Sequence, residues 1–104
     1  MLLSMQKQKT LKKGRPSGTR TFEPTSARAF GAAIKERRLL AGISQEELGN
    51  LAGVERSHMG KIERGEHMPN FVLILRLAGA LSITPGLLVD LAVKKLSEKD
   101  QTPP

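Results

Sequence analysis

Hydrogen-bond donors carry the clearest chemistry in this 104-residue chain. Arg56, Ser57, Lys61 and Arg64 fall within nine residues, at spacings that a helix gathers onto one side. A guanidinium can bond guanine O6 and N7 with two parallel N–H groups, and lysine or serine can bond base edges or phosphate. Upstream, Ser44 and Gln45 offer uncharged polar side chains where a helix should begin, and the free amides of a helix start attract anions. His58 stands among the donors and can reach a base or a phosphate, as can Arg64. Other chemistries are poorly supplied. The chain has no cysteine, which excludes disulfides and thiolate metal sites. His58 and His67 lie nine residues apart without the carboxylate pattern of a metal site. No nucleophile–base set, phosphate loop or metal constellation is present, so neither an enzyme nor a cofactor is expected.

These donors need helices to position them. Ser44 with Glu47 reads as a capping box opening a helix, flanked by Ile43 and Leu48 as a hydrophobic staple. Leu48, Leu51 and Ala52 form its apolar face, and Gly53 ends it. A second helix over 55–64 turns Met59 and Ile62 inward and stops at Gly65, with Glu55 stabilising its positive end. Two short helices around a glycine turn fit helix-turn-helix geometry. Before them, a helix capped by Thr25 or Ser26 carries Phe30, Ala33, Ile34, Arg38 and Ala41 as one inward stripe, with Gly42 beyond its end. After them, Asn70 caps a helix with Phe71, Ile74, Leu75, Leu77, Ala78 and Leu81 as a broad apolar face. Thr84 and Pro85 open a fifth, with Leu88, Leu91 and Leu87 inward. Five helices and no strand candidate make an all-α bundle.

Charge and composition set the boundaries. Seventeen Lys and Arg against ten Asp and Glu give a net charge of +7, which suits a polyanionic partner. Residues 1–25 hold six basic residues against one acidic, while 26–96 hold ten against seven. The first segment lacks an apolar period and reads as a disordered basic arm, 26–96 as the folded domain, and 97–104 as a flexible tail. Within the arm, Lys12-Lys13-Gly14-Arg15-Pro16 is similar to the core of an AT-hook, although a plain basic tail is the commoner explanation. Three phenylalanines are the only aromatic residues, which disfavours stacking on single-stranded bases. No stretch approaches the ~20 apolar residues that span a bilayer, and residues 1–5 are too short for a signal peptide. A cytoplasmic protein with no membrane partner is expected.

Residues 30–89 resemble the Cro/C1-type (XRE family) helix-turn-helix domain of phage repressors and bacterial regulators. The resemblance rests on GISQEELGNLAGVERSHMGKIERG and the following MPNFVLILRLAGALSI. It implies a compact five-helix lambda-repressor-like fold whose partner is double-stranded DNA. It places base reading on Arg56, Ser57 and Lys61, and a phosphate contact on Gln45, which Ser44, His58 and Arg64 can join. It further implies a partly buried ion pair between Arg38 and Glu63, which accounts for an arginine on an apolar stripe. Gly49, Met59 and Ser82 depart from the family's usual alanine, β-branched residue and glycine.

Apolar residues exceed what so small a domain can bury. Val72 and Leu73 occupy positions usually polar in the family, and Leu87, Val89 and Val93 add to them. A two-fold homodimer through helices 4 and 5, with Val72, Leu73, Leu87 and Val89 at the contact, is the expected use of that surplus. The function expected is a DNA-binding transcription regulator, foremost a repressor, on a palindromic operator. The alternative is an antitoxin or other interaction module whose apolar face covers a small protein partner and whose DNA binding serves autoregulation.

Overall fold

The computed structural model describes residues 23–101, with side chains to Glu98, and these form five helices. They are α1 (Pro24–Ala41), α2 (Gln45–Ala52), α3 (Arg56–Glu63), α4 (Phe71–Ala80) and α5 (Pro85–Gln101). No strand occurs among the described residues, and the fold is all-α. Lys12–Pro16 and the rest of residues 1–22 lie outside the described residues.

Local signals set most of the helix starts. The Ser44–Glu47 box closes in both directions, Glu47 N donating to Ser44 Oγ at 3.0 Å and Ser44 N to Glu47 Oε1 at 2.8 Å. Asn70 Oδ1 accepts from Leu73 N at 2.9 Å, and Thr84 Oγ1 accepts from Leu87 N at 3.1 Å. The start of α1 differs from expectation. Glu23 is its cap, its carboxylate accepting from Thr25 N at 3.1 Å and Ser26 N at 3.2 Å, and Pro24 opens the helix. A proline at the first helical position places the cap one residue before it, and a carboxylate there also faces the positive helix end. At the other end, α5 runs through Ser97 to Gln101, into the segment expected to be a flexible tail.

The core draws on all five helices: Phe30, Ala33 and Ile34 from α1, Leu48 and Ala52 from α2, and Met59 and Ile62 from α3. Leu77 and Ala78 of α4, Leu81 and Leu88 complete its centre. Five inward assignments fail. Ala41 and Leu51 are exposed, the latter at 64%, and Gly49 takes the inward place on α2. Phe71 is 71% exposed and Leu75 41%, so α4 buries a narrower face than its sequence suggests. Leu87 also faces solvent, at 39%.

Two glycines allow the helices to approach closely. A Cβ at Gly31 would stand 2.2 Å from the Ile62 carbonyl oxygen, so α1 crosses α3 backbone to side-chain-free backbone. A Cβ at Gly49 would stand 2.4 Å from the Val54 carbonyl oxygen, which explains the departure from alanine there. Ser82 is the one non-glycine residue with positive φ, 59°, among the described residues. No single helix among them is long and apolar enough to cross a membrane.

Candidate nucleic-acid interface

A buried polar network holds α1, α2 and α3 in register. Arg38 on α1 donates to both oxygens of Glu63 at the end of α3, Nε to Oε2 at 2.6 Å and Nη2 to Oε1 at 3.1 Å. Its third nitrogen, Nη1, donates to the Ile43 carbonyl at 2.8 Å, tying in the turn before α2. Glu63 Oε1 also accepts from Gln45 Nε2 at 3.0 Å. The Arg38 and Glu63 side chains are 10% and 2% exposed, and no buried side-chain polar atom among the described residues lacks a partner. Burying two charges is favourable only with such complete bonding. The network therefore sets where the first turn of α2 stands against α3.

Gln45 occupies the first position of α2, beside the amides that Ser44 leaves uncapped. Its carboxamide spends one N–H on Glu63 and keeps a second. Arg56 opens α3 and shares a cleft of about 280 Å³ with Arg38, Ser44, Gln45 and Glu46. Arg56, Ser57 and Lys61 are all exposed and form no ion pair among the described residues. The α2 start and the outer face of α3 thus converge into one surface of free donors.

The remaining candidates are placed differently. His58 lies half-buried, two residues on from Arg56 and so on the other flank of α3, with its ring edge-on to His67 at 4.5 Å between centroids. It shares a hollow with Glu55, Asn70, Val72 and Arg76, beside α4. Glu55 stands at the cap position of α3 but makes no side-chain cap bond. Arg64 is exposed and engaged by Glu66, Nε to Oε2 at 2.8 Å and Nη2 to Oε1 at 3.3 Å. That hydrogen bond, with help from the charge of Lys61, holds the Glu66 carboxyl below the usual carboxylate range. Sequence reasoning missed the Gln45–Glu63, Arg64–Glu66 and His58–His67 contacts. Only the second had a local signal, an arginine and a glutamate two residues apart around a glycine.

A helix-turn-helix family model matches residues 34–88, just over half of the chain. This chain belongs to the Cro/C1-type helix-turn-helix family. An uncharacterized HTH-type transcriptional regulator of Bacillus subtilis, YgzD, is 40% identical over 50 residues, 48% of this chain and 76% of that protein. The restriction-modification controller protein C.AhdI from Aeromonas hydrophila is 44% identical, covering 60% of this chain and 94% of its own, with a TM-score of 0.58. The clp gene regulator ClgR of Corynebacterium glutamicum is 23% identical and shares the fold, with a TM-score of 0.71 over 75% of this chain. Members of this helix-turn-helix family are DNA-binding transcription regulators and not enzymes, and this chain is one of them.

The apolar surplus lies on α4 and α5. Val72 and Val89 are 54% and 44% exposed, and Phe71, Leu75, Leu87 and Val93 are exposed with them. Leu73 is half-buried and packs against the core.

Proposed function

We propose that this regulator binds a specific palindromic operator as a homodimer and acts foremost as a repressor, with α3 of each copy in successive major grooves. The observation that carries the reading is the convergence of Arg56, Ser57 and Lys61, all exposed, with Gln45 at the start of α2. Arg56 and Ser57, on the first turn of α3, would read base edges, and Lys61 one turn on would read a further base. Gln45, Ser44 and the first amides of α2 would bond phosphate and fix the register, with Arg64 adding a cation.

The exposed apolar residues of α4 and α5 support the homodimer, because isolated apolar residues are ordinary but a set of six on two adjoining helices seeks cover. A two-fold contact there would set two α3 helices about 34 Å apart on the duplex, one turn of DNA. Occlusion of polymerase at such a site gives repression.

Selection of bound duplexes from a random pool tests the reading. The wild-type chain should enrich a palindrome. Arg56→Ala should relax the preference at one symmetric pair of positions and weaken binding by about 1–3 kcal/mol, while the other positions are unchanged. A uniform loss across all positions would reassign Arg56 to phosphate.

A further inference from the structure

Neither Gly60 nor Glu66 belongs to the set assigned to base reading, yet both are fitted around Arg64. Gly60 is buried, and what covers it is the Arg64 guanidinium: a Cβ at Gly60 would stand 2.9 Å from Arg64 Nη1 and 3.7 Å from its Cζ. Gln45 Oε1 lies 3.7 Å from that same point. The arginine therefore lies back across the bare backbone of α3, toward the start of α2. Glu66 grips the other edge of the guanidinium, through Nε and Nη2. The backbone of Glu66 is itself held, since Glu66 N donates to the Lys61 carbonyl at 2.8 Å around Gly65, whose φ is 78°. One edge of Arg64 is thus held, while Nη1 forms no hydrogen bond among the described residues and stands over the backbone of Gly60.

We propose that Gly60 and Glu66 are positioning residues for the DNA contact, holding Arg64 so that its free Nη1 meets a backbone phosphate bound at the start of α2. The proposal rests on the reading of α2 and α3 as the DNA-facing pair. Glu66 is not a competitor for the arginine in this arrangement. A phosphate on Nη1 leaves the Nε–Nη2 edge on Glu66, and a guanidinium has five N–H groups to divide between the two. An exposed arginine loses considerable rotamer freedom on binding, and one already held loses less. Gly60 is required because any side chain there displaces the guanidinium from its bed. An alanine would displace only the flexible end of Arg64, so the fold would accommodate it.

The test uses the full chain and the duplex that the wild-type protein enriches from a random pool, with affinity measured by fluorescence anisotropy across a KCl series. Arg64→Ala should weaken binding about tenfold and reduce the salt slope by about 1. Glu66→Ala should weaken it about threefold, although it removes a negative charge. Gly60→Ala should weaken it to the Arg64→Ala level with no fall in melting temperature, because alanine is the better helix former. In an Arg64→Ala background, Gly60→Ala should add nothing and Glu66→Ala should tighten binding slightly, since only its repulsion of phosphate remains. Equal losses from Gly60→Ala with and without Arg64 would mean that the methyl group meets DNA directly, and would overturn the proposal. So would a larger cost of Arg64→Ala when Glu66 is absent, the mark of a competitor. If the wild-type chain enriches no duplex at all, the DNA-facing reading itself falls, a result distinct from either.

Discussion

The α2–α3 side and the α4–α5 side of this domain are finished by opposite means. On the first, a buried arginine, glutamate and glutamine bond one another completely, and the free donors stand outside that frame at fixed places. On the second, Phe71, Val72 and Leu75 of α4 and Leu87, Val89 and Val93 of α5 are simply left uncovered. A duplex presents acceptors at fixed spacing, so a surface that matches it needs donors whose positions are set before contact. An apolar patch that meets its like needs area and shape, and side chains there can adjust on contact. The cost of burying charge is accepted on the side where geometry is demanding, and avoided on the other.

The largest way to break that contrast is to unmake the frame. Glu63→Ala strands the buried Arg38 guanidinium with only the Ile43 carbonyl, and removal of one partner of a buried pair typically costs about 3–5 kcal/mol. That is a large share of the stability of a small domain. A thermal melt should show the loss directly. A melt unchanged from wild type would mean that the pair is solvated, and that the α2–α3 side is no more rigidly set than the other.

Substitution on α4 should have the reverse signature. Phe71→Glu, at a position 71% exposed, should leave the stability of the dilute monomer within about 0.5 kcal/mol of wild type. It should nevertheless abolish self-association in sedimentation equilibrium at high micromolar concentration and weaken operator binding with it. Wild-type protein that sediments as a monomer at those concentrations would leave the apolar side free for a foreign protein, the antitoxin-like alternative.

The two sides were also unequally legible in the sequence. The start of α2 could be read because a capping box is written within four residues, Ser44 to Glu47, and both of its bonds form. Arg38 interrupts an apolar stripe, but that alone names no partner; the family resemblance implies Glu63, and the two are joined. The α4 face could not be read in the same way. Eight of its ten residues are apolar, so every flank looks inward, and only packing reveals that Phe71 and Leu75 are left outside. Leu51 fails for a related reason: α2 has eight residues, too few turns to fix a phase, and Gly49 carries no side chain to announce its burial. The contacts of Gln45 with Glu63 and of His58 with His67 join residues 18 and nine positions apart, and neither is a helical spacing that sequence reading can exploit.

The smallest expected effect lies between the two sides, on the seam where α1 meets α5. Lys95 Nζ stands 2.5 Å from Glu36 Oε1, with the two side chains 26% and 49% exposed. The hydrogen bond from Lys95, then its charge, holds the Glu36 carboxyl below its usual value of 4.5. A carboxyl lowered on folding binds fewer protons in the native than in the unfolded chain. Its contribution is therefore fully present above about pH 4.5 and is lost as pH falls through the lower folded value. Solvent screens so exposed a pair, which limits the contribution to about 0.2–1 kcal/mol. Lys95→Ala should thus lower stability by that amount in denaturant titrations at pH 7, and the gap to wild type should close as the Glu36 carboxyl is protonated in acid. Other carboxyls titrate over the same range in both proteins, so the difference isolates this pair. A gap that persists in acid would assign the loss to the lysine's methylene packing against α1, and would remove the Lys95–Glu36 ion pair as a tie between α1 and α5.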